Sequence, residues 1–176
     1  MNRLIVGLLA SLVLAFPLLA HNRDSKYSPR EGNCSIRFPG RPKETLQTTP
    51  TALGELRVFT ATYATSDGSA FLLSWTEFPP ETTTAENRTS LYDGVREGLK
   101  GNDGEVISDD SMEIGPQKLP GRELHIKKDN GKLRMRFRIL VHDGRLYQIA
   151  VIGSAKFVDG NNAKDFLDSF EVVKSK

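Results

Sequence analysis

The sequence contains few of the residues that most often carry catalysis or bind metals. One cysteine, three histidines and one tryptophan occur among its 176 residues. A single cysteine cannot form an internal disulfide, and these numbers of cysteine and histidine are too small for a zinc site built from them. Neither a Gly-Xaa-Ser-Xaa-Gly motif nor a glycine-rich phosphate loop is present. We therefore expect no metal, no cofactor, no catalytic residue and no enzymatic activity, with a small hydrolase of unrecognised site as the alternative.

A large excess of charge of either sign is also missing. Lys and Arg number 24 and Asp and Glu number 22, which gives a formal net charge of +2. A chain with this balance is not a polyelectrolyte that seeks nucleic acid, so any basic site must be a local patch. The length and the 38% hydrophobic content are typical of one domain. We expect a single domain that does not bind nucleic acid.

The only long apolar run lies at the N-terminus. Residues 4–20 carry no charge, follow one arginine and give way abruptly to polar sequence. This pattern predicts a secretory signal peptide over residues 1–20, with cleavage after Ala20 or after Ala15. An uncleaved membrane anchor is the alternative, but the run is at the lower limit of length for a span and contains the helix breaker Pro17. We expect an exported protein, periplasmic or secreted, that contacts the membrane only if this segment is retained.

A polar linker is predicted between the signal peptide and the folded domain. Residues 21–33 contain Pro29 and Gly32 and show no apolar periodicity. Cys34 then opens a single domain over residues 34–176. We interpret Cys34 as a small buried hydrophobic residue, in preference to one half of an intermolecular disulfide.

Short runs rich in β-branched and aromatic residues predict that the domain consists mainly of strands. The predicted strands cover residues 34–38, 44–49, 56–64, 70–78, 105–108, 111–114, 121–128, 132–142, 145–153 and 170–173. An Asp-Gly pair between the third and fourth of these runs is a strong hairpin signal. The last long run is apolar on both faces, which is typical of a central strand covered from two sides.

Two segments have helical periodicity instead. A capping-box pattern at residues 83–86 precedes Leu91, Val95 and Leu99, which lie four residues apart, and Gly101 follows as a stop signal. A shorter amphipathic segment with apolar residues at helical spacing covers residues 163–170. Strands, a helix, strands, a helix and a final strand predict an α+β fold with an antiparallel sheet.

The hairpin that turns at an Asn-Gly pair carries three arginines at alternate positions. Pairing across this turn places Lys127 opposite Arg134 and His125 opposite Arg136, and it sorts the apolar side chains onto the other face. These four residues are the candidate ligand-binding residues. Solvated side chains whose stems cover the sheet are the plainer interpretation, and an anionic contact site is the functional one. Aromatic residues are not interleaved on this face, which argues against single-stranded nucleic acid.

Several stretches of the second half resemble the PsbP-like family. They are residues 142–147, which lead into an apolar strand, and residues 166–172, which follow a short helix; residues 36–39 are similar to the start of those domains. That family includes extrinsic subunits of photosystem II, exported bacterial proteins without known roles and a related Ran-binding nuclear import factor. The resemblance covers most of residues 34–174 and implies an antiparallel sheet flanked by helices on both faces. It also implies a non-enzymatic accessory or binding module.

The leading hypothesis is therefore an exported accessory domain that binds another protein of the cell envelope or a secreted protein. The alternative is a binder of an anionic ligand or surface polymer through Lys127, Arg134 and Arg136. Such binding would depend steeply on salt because it would rest on surface charge.

Overall fold

The structure is a computed structural model that describes residues 26–51 and 54–173. The predicted signal peptide lies outside these residues. None of the helices in the described ranges has the length and apolarity that a bilayer span requires.

The described chain folds into ten strands and three α-helices. In chain order they are β1 (Lys26–Tyr27), β2 (Cys34–Arg37), β3 (Lys43–Thr51), β4 (Gly54–Ala64), β5 (Ala70–Glu77), α1 (Arg88–Lys100), β6 (Glu105–Ile114), β7 (Leu119–Lys128), β8 (Leu133–His142), β9 (Arg145–Gly153), α2 (Ala155–Val158), α3 (Asn161–Asp168) and β10 (Glu171–Val172). Short 3-10 turns cover Pro80–Thr82 and Asp129–Gly131.

Seven of the strands form one antiparallel sheet in the order β3-β4-β5-β9-β8-β7-β6. It combines two runs of sequential strands, β3 to β5 and β6 to β9, which meet where β5 pairs with β9. A small three-stranded sheet has the order β1-β2-β10. The predicted α+β class with an antiparallel sheet is confirmed.

Two clusters of buried side chains form the core. The first contains residues of α2 and α3 together with Leu140, Tyr147 and Ile149 of the sheet. The second contains residues of α1 together with Ile139 and Leu146. Because successive side chains of a strand point to opposite faces, neighbouring residues of β8 and β9 contribute to different clusters.

The register predicted for the long hairpins is observed. Lys127 pairs with Arg134 and His125 with Arg136, while the next hairpin pairs Val141 with Leu146. A slip of one residue would move the arginines into the apolar cluster and the apolar residues out of it. The hydrophobic pattern was therefore sufficient to determine the pairing.

The first helix begins later than its sequence signal predicts. Its end at Gly101 is as expected, with φ of 59° and an N–H that donates to the carbonyl of Glu97 at 2.9 Å. Its start is not at the predicted capping box, because Pro80 opens a 3-10 turn in which the N–H of Thr83 donates to the Pro80 carbonyl. The chain enters α1 only at Arg88, after Asn87.

Two further differences concern the strands. Residues 105–108 and 111–114 were predicted as two strands, but β6 is continuous and accommodates the irregular pattern by a bulge between Val106 and Ser108. Part of the predicted linker is also structured, since β1 pairs with β2 and the Tyr27 ring contacts Phe38 edge-on at 5.6 Å. A two-residue strand is too short to produce a detectable period.

Candidate binding surface on the sheet

The four candidate residues lie together on one face of the sheet. His125 and Lys127 are on β7, Arg134 and Arg136 are on β8, and the two strands pair directly. We call these four residues the basic patch. All four side chains are half-buried, because their stems lie along the sheet while their charged ends reach its surface.

Glu123 supplies the main counter-charge beside the basic patch. Its Oε1 lies 2.9 Å from a guanidinium nitrogen of Arg136 and 3.2 Å from Nε2 of His125, and its Oε2 accepts a hydrogen bond from Nε of Arg138 at 2.8 Å. Burial alone would raise the pKa of the Glu123 carboxyl, but the hydrogen bonds from Arg138, Arg136 and His125 outweigh it and leave the pKa below its usual value. Glu123 is therefore a fixed anion.

Arg138 extends this network to the last helix. Its side chain is only 8% exposed, and a terminal guanidinium nitrogen lies 2.7 Å from Oδ1 of Asp168 at the end of α3. Asp168 also accepts a hydrogen bond from Lys164 at 2.6 Å. The sequence pattern places Glu123 opposite Arg138, but Asp168 carries no local signal because its contact is made through the packing of α3 on the sheet.

The remaining two cations of the basic patch are less completely neutralised. Lys127 forms an ion pair with Glu105 at 2.9 Å, but that carboxylate is 67% exposed to solvent and screened by it. Arg134 forms no ion pair within residues 26–51 and 54–173, and its Nε is buried without a hydrogen-bond partner there. The positive charge that remains is therefore centred on Arg134.

This arrangement favours binding over proton transfer. A general base must be able to accept a proton from a bound group, and the carboxylate of Glu123 is occupied on both oxygens. His125 contacts Glu123, not a serine, threonine or cysteine. What the face offers to a partner is guanidinium and ammonium donors, which suit a carboxylate or a phosphate.

A concave region away from the basic patch was not anticipated from the sequence. A shallow groove of about 870 Å³ lies between the start of α1 and the β6–β7 hairpin, and its lining includes Arg88, Tyr92, Met112, Lys118 and Arg122.

The Arg122 guanidinium in this groove stacks over the Tyr92 ring at 5.5 Å and binds Asp93 at 2.8 Å and Asp109 at 3.2 Å. The Tyr92 hydroxyl accepts a hydrogen bond from the Val141 N–H at 3.0 Å. These polar groups fix α1 against the sheet.

Cys34 is held in an unreactive state. Cys34 is fully buried, as we interpreted it, and burial raises the pKa of its thiol to about 12. The thiol is therefore protonated at neutral pH and a poor nucleophile. His142 lies 3.3 Å from Asp143 in an exposed turn. Across the described ranges, no group of three or more His, Cys, Asp or Glu residues is arranged to hold a metal ion.

Sequence comparisons add nothing to this description, but a structural comparison does. No protein-family model matches the chain, and no curated protein matches it. The solution structure of cyanobacterial PsbP (CyanoP) from Synechocystis sp. PCC 6803 matches with a TM-score of 0.59 and 12% sequence identity, over 91% of this chain and 98% of that one.

A protein of unknown function from Pseudomonas aeruginosa aligns over 78% of this chain and 87% of its own, with 8% identity and a TM-score of 0.37. The likeness to CyanoP shows that the chain has a PsbP-like fold. At this sequence identity, it concerns the fold alone.

Proposed function

We propose that this chain is an exported, non-enzymatic accessory domain that binds another protein of the cell envelope or a secreted protein. The observation that carries the proposal is the state of Glu123. This half-buried carboxylate is bound by Arg136, Arg138 and His125, so it is held in an ion network and is not available as an acid or base. Charges that hold one another in place suit recognition, because less side-chain freedom is lost on binding.

The PsbP-like fold supports the same proposal in broad terms. We infer that helices cover both faces of the sheet, as in the sandwich that the family resemblance implies. The two core clusters support this arrangement, since α1 contributes Leu91 and Leu99 to one of them and α3 contributes Phe166 and Leu167 to the other.

Export is part of the proposal and rests on the apolar segment at residues 4–20. The test is to determine the N-terminus of the protein recovered from the cells that make it. A chain beginning near His21 supports cleavage of a signal peptide, whereas a chain that retains Met1 and fractionates with membranes supports an anchor. A chain found intact in the cytosol contradicts export.

Capture of the partner tests the binding role. The tagged full-length protein is expressed in its own cells, cross-linked mildly and purified from the envelope and secreted fractions, and the co-purified proteins are quantified by mass spectrometry. We expect one protein in near-stoichiometric amount. If the protein is recovered without any partner from every fraction, the accessory role is contradicted.

Charge reversal locates the contact. Arg134→Glu changes the one cation of the basic patch that forms no ion pair within the described ranges. Lys118→Glu is the matched control, because Lys118 is an exposed cation that lies at 3.9 Å from Glu113 outside the basic patch. If the partner binds the basic patch, Arg134→Glu lowers its recovery and Lys118→Glu does not. Equal recovery with both variants moves the contact to another surface.

A second candidate function is the binding of an anionic ligand or surface polymer by the basic patch. The observation in its favour is that Arg134 forms no ion pair within the described residues. An anionic group placed over the patch would pair with its guanidinium.

A soluble polyanion tests this second function. Heparin is titrated into the purified full-length protein at several salt concentrations, and we expect the affinity to fall steeply with salt. Arg134→Glu should weaken binding at least about tenfold, a loss typical of one charge-assisted contact, while Lys118→Glu should leave it unchanged. If the two variants bind equally, the basic patch is not a polyanion site.

A further inference from the structure

The two edges of the seven-stranded sheet are protected to very different extents. An unpaired strand edge exposes N–H and C=O groups that can pair with another chain, and proteins usually block it with charges or bulges. The β6 edge has both devices: a bulge between Val106 and Ser108 and four carboxylates, Glu105, Asp109, Asp110 and Glu113, with no cation in the strand. A second copy of β6 would be repelled by these charges.

The β3 edge has neither device over most of its length. It pairs with β4 without interruption from Lys43 to Thr51, and residues 45–49 carry no charge. No strand of the described ranges pairs with its outer side. Pro50 lies near the end of β3, and because it has no N–H, its nitrogen must face away from β4, where it removes one donor from that end of the edge. Leu46, four residues earlier, has its N–H and C=O on the same outer side, where both remain available for pairing.

Leu46 is also the exposed end of an apolar row across the sheet. It is 49% exposed and pairs with Phe59 of β4. Phe59 in turn stacks on Trp75 of β5 at 5.0 Å with an interplanar angle of 2°. The row is buried at Trp75 and incompletely covered at Leu46, which is one of only two large hydrophobic residues exposed in the described chain.

We propose that β3 pairs antiparallel with β3 of a second copy of this chain, about a twofold axis at Leu46, so that two sheets become one. The pairing is self-complementary, as an isologous interface requires. It places Leu46 beside Leu46 of the second copy, Glu44 opposite Thr48 and Lys43 opposite Thr49. No like charges face each other in this register.

The interface is small, and this determines how the dimer behaves. Nine residues of extended strand measure about 30 Å, and contact along one strand edge buries less area than the roughly 1,200 Å² of a stable specific complex. The dimer is therefore weak and forms reversibly as the protein concentration rises.

Sedimentation equilibrium of the full-length protein, as its cells produce it, tests the proposal. Leu46→Lys is compared with Ile107→Lys, since Ile107 is 47% exposed on the opposite edge strand. We expect a monomer–dimer equilibrium that Leu46→Lys weakens at least about tenfold and that Ile107→Lys leaves unchanged. A monomer at every concentration up to about 1 mM, beyond the range of weak specific pairing, overturns the proposal, as does an equal effect of the two substitutions.

Cysteine cross-linking provides a second readout that does not depend on a disruptive substitution. Directly opposite residues of a hydrogen-bonded antiparallel pair have Cα atoms about 5.5 Å apart, within the range that a disulfide spans. Leu46→Cys should therefore form a covalent dimer on mild oxidation, and Ile107→Cys should not. The native Cys34 is fully buried with a raised pKa and stays silent.

A dimer of this kind does not depend on the partner protein proposed above. If Leu46→Cys cross-links to a different protein and not to itself, the proposed occupant of the β3 edge is wrong. If Leu46→Cys forms the dimer while no partner is captured, the dimer stands and the accessory role is contradicted.

Discussion

The two halves of the seven-stranded sheet are held together by different interactions. In the half that contains β6, β7 and β8, buried and half-buried charges are tied together through Glu123. The half that contains β3, β4 and β5 is held instead by the stacked rings of Phe59 and Trp75, with the Arg57 guanidinium 4.8 Å above the Phe59 ring. The charged half therefore depends on the ionisation of Glu123, whereas the stack of Phe59 on Trp75 contains no ionisable group.

This difference explains why the two edges differ as well. Carboxylates on β6 fit beside a charged half and repel a second copy of the strand. The uncharged stretch of β3, residues 45–49, lies beside the aromatic half and leaves Leu46 exposed. Substitutions in the two halves should therefore have distinguishable signatures.

The largest effect is expected in the aromatic half. Trp75→Ala removes a 4%-exposed ring that stacks on Phe59, and should lower the free energy of unfolding by about 3–5 kcal/mol. Urea unfolding followed by circular dichroism measures it. Trp75→Phe is the control, because it keeps a ring while removing an N–H that has no partner in the described residues, and it should lose less than about 1.5 kcal/mol. Equal losses for the two substitutions would show that an aromatic ring at position 75 does not by itself account for the stability.

The next effect is expected in the charged half. Glu123→Gln leaves Arg136 without its anion and Arg138 with Asp168 alone, and should lower the free energy of unfolding by about 3 kcal/mol, as breaking a buried pair does. Asp110→Asn is the control, because Asp110 lies opposite Glu123 on β6 but is exposed, and should change stability by less than about 0.5 kcal/mol. A similar loss for the two substitutions would show that the ion pairs of Glu123 contribute no more to stability than an exposed carboxylate does.

The two halves should also respond differently to acid. The pKa of Glu123 is lowered in the folded state, since hydrogen bonds from Arg138 and Arg136 outweigh its burial. The contribution of ionised Glu123 to the free energy of unfolding is therefore complete above the unfolded pKa of about 4.3. It is lost as the pH falls through the lower pKa of the folded state.

Unfolding free energies measured from pH 7 down to about pH 3, across the range in which free carboxyls titrate, check this expectation. Glu123→Gln should flatten the decrease below about pH 4.3, and Trp75→Ala should keep the decrease of the unmodified protein. If Glu123→Gln has the same acid dependence as the unmodified protein, other carboxyls dominate.

The smallest effect is expected where the aromatic half meets solvent. Arg57→Ala removes the guanidinium over the Phe59 ring and its 3.9 Å contact with Glu31. The side chains of Arg57 and Glu31 are both exposed. The loss should be about 0.5–1 kcal/mol, measured by the same urea unfolding. Arg57→Lys should recover part of it, because an ammonium still interacts with the ring. A loss above about 2 kcal/mol would mean that Arg57 has a structural role beyond a surface cation–π contact.

Local patterns were sufficient for much of the fold and for the location of the basic patch. The alternation of arginines and apolar residues determined the β7–β8 register, and with it the placement of Lys127 opposite Arg134. The bounds of β9 followed from its continuous apolar run. What these features share is that their cause lies within a few residues along the chain.

Features that depend on distant residues could not be predicted in this way. Asp168 reaches Arg138 only because α3 packs on the sheet, and the stack of Phe59 on Trp75 requires the β4–β5 register to be known. The late start of α1 also results from two competing local structures. The 3-10 turn that begins at Pro80 forms in place of a helix start at the capping-box pattern of residues 83–86. The carboxylates that neutralise the basic patch were therefore not identified from the sequence.

The pairing of β5 with β9 has a consequence for how the chain folds. Each sequential run of strands can form by local hairpin closure, which takes microseconds, but the contact of Leu73 with Ile149 joins segments separated by the whole β6–β8 region. Closing so long a loop is entropically slow, so the docking of two preformed units is expected to limit the folding rate. Ile149→Val should then slow refolding in stopped-flow measurements, and an effect on unfolding alone would show that the seam forms after the transition state.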